Sequence, residues 1–299
     1  MTKQLRGSFI LLLTAAIWGA AFSAQSHSLD YVGPFTLQTI RFFLAGLVLL
    51  PLIAFCDHKG LSDQRPVTRG QKKHQLRAGF FCGLVLFAAS SFQQVGMAYT
   101  SVGKSGFITA LYITIVPLLG LFMKRRVRPR IWLCAALGVV GLYVLCVKGA
   151  VQLNIGDGLT LVCAVFFALH ICLIDFFSPD TDPIRLSCTQ FFVCCALSAI
   201  PMVLTEQPNW RSIADCWWPI AYAGIFSGGV AYTLQILGQR TVPPTLASLL
   251  MSMESVFAAL FGWLLLGQRL SLQELLGCAI VFLSIILAQL PEKTEKKQK

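Results

Sequence analysis

The chain has 299 residues, 56% hydrophobic and 12% charged, whereas a soluble domain carries about 25% charged residues. The formal charge of +11 could suit a nucleic-acid binder, but the cations lie in short polar links and at both ends. That is the placement the positive-inside rule demands of a membrane protein, so nucleic acid is excluded as a partner. Eleven cysteines, scattered mainly through apolar runs without a paired C-x-x-C, give neither a zinc site nor a disulfide framework and read as small apolar packers.

Ten apolar runs follow in chain order, at about 8–26, 34–56, 78–99, 104–123, 131–149, 157–176, 184–205, 215–237, 243–266 and 271–290. Each is long enough to cross the ~30 Å hydrocarbon layer as a helix, the form in which a spanning backbone bonds to itself. The first run reads as a permanent span rather than a cleaved signal, because Gln25-Ser26-His27 matches a cleavage site poorly and another span follows at once. Three basic segments stand out: the 57–77 link with Lys59, Arg65, Arg69, Lys72, Lys73 and Arg77, the 124–130 link, and the tail with Lys293, Lys296, Lys297 and Lys299. All three fall on one side if both termini are cytoplasmic, leaving Lys104, Lys148, Arg211 and Arg269 outside.

The pattern repeats after about 150 residues. Pro34 precedes Arg41-Phe42-Phe43 by seven residues, as Pro183 precedes Gln190-Phe191-Phe192. Gln93-x-x-Gly96 is matched by Gln235-x-x-Gly238. Five spans per half, an odd number, insert the second half upside down. The expected fold is therefore an all-α integral membrane protein of ten transmembrane helices in an inverted five-plus-five repeat. Residues 1–149 and 150–290 form the repeats, and 291–299 form a disordered cytoplasmic tail. Two such halves can rock about a central site, which points to transport.

Glu254 is the sharpest single signal. It lies about eleven residues into the ninth span, some 16 Å deep at about 1.5 Å per residue, where carboxylates mark ion or substrate paths. His170, in the sixth span, is the second proton-coupling candidate. Arg41 can meet an anionic group of a substrate or snorkel outward. Gln93 and Gln235 either join helices or line a wet cavity. Trp18 shares a helical face with Thr14 and Gln25 and can wall a pocket, with Tyr112 and Tyr232 weaker candidates of the same kind. The ninth span carries a small-residue stripe, Ala247, Ser248, Met251, Ser255, Ala258 and Gly262, suited to close packing. Pro117 and Pro201 can kink their helices.

Enzyme signatures are missing from the sequence. It has neither a Walker A motif nor a Gly-x-Ser-x-Gly elbow. Gly156-Asp157-Gly158 reads as a link that lacks a second intramembrane Asp. No catalytic residue, metal or cofactor is expected.

Ile17-Trp18-Gly19, the stretch from Pro34 to Arg41-Phe42, the run Gly103–Tyr112 and above all the run Met253–Leu270 together resemble the drug/metabolite transporter superfamily, specifically its EamA-domain members, over nearly the whole chain. The resemblance implies ten helices, a central cavity and export or exchange of amino acids, amines, other metabolites or drugs. Ser255 stands where the family often has Pro, and Gln268 where it often has Glu. The expected function is a secondary transporter of amino-acid-like or amine compounds, working outward by alternating access and coupled to protons through Glu254 with His170. Its partners are the lipid bilayer, a small-molecule substrate and protons, and its place is the bacterial plasma membrane. Alternatives are a receptor or sensor that binds without transport, and a carrier for vitamins, nucleotide derivatives or drugs.

Overall fold

The structure is a computed structural model that describes residues 3–62, 64–100, 102–124, 127–147, 153–266 and 271–290. The expected tail 291–299, together with Lys148, Gln268 and Arg269, lies outside the described residues. Among the described residues, ten helices are long and apolar enough to cross a membrane. They are α1 (Lys3–Leu29), α2 (Pro34–Lys59), α3 (Arg69–Met97), α4 (Gly103–Phe122), α5 (Pro129–Cys146), α6 (Ile155–Asp180), α7 (Pro183–Thr205), α8 (Trp217–Gln239), α9 (Pro244–Phe261) and α10 (Leu272–Gln289).

Local chemistry sets the helix ends. Pro occupies the first turn of α2, α5, α7 and α9, where its missing N–H would be unpaired anyway. Thr68, Asn154 and Ser271 form reciprocal capping boxes with Gln71, Asp157 and Glu274. The first of these starts α3 at Arg69, nine residues before the apolar run. The box at Asn154 corrects a second expectation, because Gly156-Asp157-Gly158 is the first turn of α6 and not a link. Gly60 ends α2 at φ +64°, a conformation that a side chain would disfavour.

The polarity of the bundle is arranged as an apolar surrounding requires. Phe9, Leu47, Phe122 and Phe282 are exposed on the outside, while Thr14, Gln38, Ser90, Gln94, Gln190 and Ser248 are buried within. The helices pack with the two-fold pattern of an inverted repeat. α2 packs along α7 and α5 along α10, each helix against its own counterpart. Contacts of α1 with α8 and α9 are matched by those of α6 with α3 and α4. The start of α2 meets the end of α7 through Glu206, and the end of α2 meets the start of α7 through Asp57 and Arg185. Counterpart helices therefore run antiparallel, as inversion requires. Phe42 and Phe191 stack at 5.7 Å between ring centroids where α2 and α7 cross.

Among the described residues, three helices are irregular in mid-span. α4 is interrupted at Leu111 and α9 at Ser252, at matching depths of the two halves. In α8, Tyr222–Tyr232 is wound as a π-helix, a form that recurs at functional sites.

Candidate functional site

Residues that flank the two interruptions, Thr109 and Tyr112 in α4 and Met251 and Glu254 in α9, line one central cavity. Interrupted helices expose backbone groups, which a membrane tolerates where they line a cavity. Fourteen residues line it, and ten of them are five pairs of repeat counterparts. Trp18 with Phe167 and Phe22 with Ile171 are 149 residues apart; Gln93 with Gln235, Thr109 with Met251, and Tyr112 with Glu254 are 142 apart. The cavity therefore lies on the pseudo-two-fold axis. Gln25, Arg41, Ser227 and Tyr232 line it from one half only and supply much of its polarity.

Glu254 is 5% exposed and sits just after the α9 interruption. Its Oε1 accepts a hydrogen bond from the Tyr112 hydroxyl at 3.2 Å, so the two counterpart residues join across the axis. Among the described residues no cation lies within ion-pair distance of Glu254. A carboxyl group this deep is stable only with a proton, a cation or hydrogen-bond donors beside it.

Arg41 is 3% exposed. Its Nη1 donates to Gln25 Oε1, which also accepts from Gln94 Nε2 at 2.6 Å. The guanidinium carbon lies 4.5 Å from the Phe42 ring centroid. Its Nε is buried without a partner, and among the described residues it has no carboxylate. Arg41 is therefore held in place with hydrogen-bonding capacity to spare.

The aromatic wall is fixed by polar contacts. Trp18 Nε1 donates to the carbonyl of Ser227, in the π-helical turn, at 3.1 Å. Its ring packs edge-on against Tyr232 at 4.8 Å. Gln93 Nε2 donates to Thr109 Oγ1 at 3.4 Å and Gln235 Nε2 to Gln239 Oε1 at 2.9 Å, while Gln235 Oε1 is buried unpaired.

Seven of the eight residues singled out from sequence share this cavity: Trp18, Arg41, Gln93, Tyr112, Tyr232, Gln235 and Glu254. His170 does not line it. The helix turns it roughly a quarter turn away from the cavity-facing Phe167 and Ile171. It is fully buried behind Tyr232, 6.0 Å between ring centroids, with Nε2 3.0 Å from Gln190 Oε1. Gln190, the counterpart of Arg41, thus holds a histidine instead of facing the cavity. Sequence reasoning missed Phe22, Thr109, Phe167, Ile171, Ser227 and Met251 in the lining, and Gln94 as the partner of Gln25. The repeat spacing extended from Gln93 and Gln235 to the fourth and ninth spans would have pointed to Thr109 and Met251. Among the described residues no cluster of three potential metal ligands exists.

The small-residue stripe of α9 meets α1 at Gly19. A Cβ there would lie 2.7 Å from the carbonyl oxygen of Glu254 and 2.8 Å from the backbone N of Ala258. The departure at Ser255 lies three residues past the α9 interruption, and its hydroxyl is buried unpaired.

Known proteins place this architecture. A solved structure titled "Crystal structure of protein" superposes with a TM-score of 0.80 over 98% of this chain and 99% of its own, at 19% identity, which shows a shared fold. An uncharacterized transporter of Archaeoglobus fulgidus is 31% identical over 96% of this chain and 87% of its own length. The WAT1-related protein At3g02690 of Arabidopsis thaliana is 26% identical over 95% of this chain and 69% of its own. The uncharacterized inner membrane transporter YedA of Escherichia coli K12 is 25% identical over 92% and 87%. The model of the EamA-like transporter family matches twice, over residues 5–147 and 154–290. With a bundle of the same fold and a family match across both halves, the chain belongs to the EamA-like transporter family and is an integral, multi-pass membrane transporter of the drug/metabolite type.

Proposed function

We propose that the protein is a secondary carrier that exports a small amine or amino-acid-like metabolite by alternating access, in exchange for a proton held on Glu254. The observation that carries this reading is the Glu254 carboxyl, buried in the axial cavity with Tyr112 as its hydrogen-bond donor and, among the described residues, no cation beside it. One carboxylate can hold a proton or pair with an ammonium group, but not both at once. Protonation from one side and substrate binding from the other therefore exclude each other, which couples the two fluxes. Arg41 offers a cationic anchor for the acid group of an amino-acid-like substrate. Trp18 and Tyr232 present ring faces and edges that favour an ammonium or an apolar side chain. His170, packed behind Tyr232, supports the wall and carries no proton in this scheme. Both termini are assigned to the cytoplasm of a bacterial cell, because the 57–77 and 124–130 links are the most basic.

A thermal-shift screen of amines and amino acids on purified protein identifies the substrate, since a ligand of the folded form raises its apparent stability. Proteoliposomes with an imposed pH gradient then test the coupling. Wild type accumulates the labelled substrate uphill, whereas Glu254→Gln loses accumulation. Full pH-dependent, uphill transport by Glu254→Gln would falsify the scheme.

A further inference from the structure

A second recess lies outside the axial cavity, at the end of the bundle that carries the N-terminal residue of α1. It is a lateral notch between α2 and α3, floored by α7. Arg65 and Lys72 stand at its rim. One helical turn further in, about 6 Å along the axis, Leu76 of α3 and Thr189 of α7 continue the wall, with Ile53 of α2 opposite.

The charges at the notch are unevenly matched. Arg185, at its floor, is satisfied by Asp57 at 2.6 Å and Asp182 at 3.0 Å. Arg65 is 56% exposed and reaches the same Asp57 at only 3.6 Å. Lys72 is exposed and takes part in no ion pair among the described residues. The rim thus keeps a surplus of positive charge directly above an apolar wall, in which Leu76 is 60% exposed.

The inverted repeat supplies an internal control. At the opposite end of the bundle the counterpart of Lys72 is Ala214, that of Leu76 is Trp218, and that of Arg185 is Thr36. Trp217 and Trp218 are exposed there, as side chains at a membrane interface commonly are. The fold therefore does not by itself require cations at this place; they belong to one end only.

Cations at the level of the polar headgroups, with an apolar channel beneath them, match one molecule of the surrounding medium. We propose that the notch binds one anionic phospholipid, its phosphate on Arg65 and Lys72 and an acyl chain along Ile53, Leu76 and Thr189. The bound lipid fills the gap between α2 and α3 and ties the α2–α3 link to the membrane surface.

Native mass spectrometry of the full chain in detergent tests this, with phosphatidylglycerol and phosphatidylcholine of matched acyl chains as probes. Wild type is expected to retain one phosphatidylglycerol in preference to phosphatidylcholine. The double variant Arg65→Gln/Lys72→Gln is expected to lose that preference by about 30-fold, and Arg65→Lys/Lys72→Arg to keep it. Leu76→Gln, which interrupts the apolar wall and leaves the charges, is expected to lower retention of both lipids. Lys3→Gln/Arg6→Gln removes two cations from the same end of the bundle and is expected to leave retention unchanged. Equal loss in this last variant, equal retention of the two lipids by wild type, or displacement of the lipid by inorganic phosphate alone would each overturn the proposal.

Discussion

Glu254 and His170 show how little a residue's type says about its role until its direction is known. Both are titratable and both lie deep in apolar helices, but one faces the axial cavity and the other faces Gln190. His170→Gln is therefore expected to lower thermal stability in detergent while leaving the pH dependence of transport as it is in wild type. A flattened pH profile in that variant would return the histidine to the coupling path. Arg41→Lys keeps the charge but removes the planar fork that bonds Gln25 and leaves Nε over. Binding of an amino-acid-like substrate is expected to weaken by about tenfold, the loss of about 1.4 kcal/mol, with a plain amine affected much less. Calorimetric titration of the two ligand types checks this, and equal losses would show that Arg41 serves structure alone.

At the scale of helices, the α2–α7 pair is fastened at both ends by counterpart carboxylates, since Glu206 follows Asp57 by 149 residues. Asp57 holds Arg185 at one end, bonding both its oxygens at 2.6 Å. Glu206 accepts from the backbone N–H groups of Phe35 and Thr36 at 2.8 and 2.7 Å at the other. The first turn of α2 thus receives the negative charge that a helix N-terminus favours. Glu206→Gln is expected to cost about 1–2 kcal/mol, read as a lowered unfolding midpoint that falls no further at high salt. The α1–α9 crossing is tighter still. Gly19→Val places methyl groups where the α9 backbone already lies, and overpacking of this kind costs about 1–3 kcal/mol. Because Glu254 is the residue displaced, transport is expected to fall more than stability does. Gly19→Ala should be intermediate in both measurements.

For the whole molecule, inversion makes a claim about sides. Lys3 and Leu290 belong to one end of the bundle, and Gln207, past the end of α7, to the other. Single cysteines at these positions, in a background lacking the eleven native ones, are expected to react with a membrane-impermeant thiol reagent from opposite sides in cells. Labelling of positions 3 and 290 from different faces would break the five-plus-five arrangement. The pseudo-two-fold axis also accounts for part of the cavity's composition: Gln93 and Gln235 are matched amides, Tyr112 and Glu254 are counterparts of unlike chemistry, and Arg41 lines it from one half only.

Ten apolar runs, their basic links and the duplicated Pro34 and Gln93 patterns fixed the number of spans and their inversion from sequence alone. These properties depend on composition and parity, because lipid compels every span to be helical and an odd count compels reversal. The capping boxes that lengthen α3 and α6, the interruptions at Leu111 and Ser252 and the π-helical turn in α8 left no period in the hydropathy. The boxes are local patterns, legible in Thr68-x-x-Gln71 and Asn154-x-x-Asp157, whereas the interruptions and the π-helical turn show only in the folded bundle. Which buried polar group faces the axis was likewise decided by tertiary packing. A rotation of a quarter turn within α6, invisible to composition, sets His170 behind Tyr232 while Phe167 and Ile171 face the cavity that Glu254 lines.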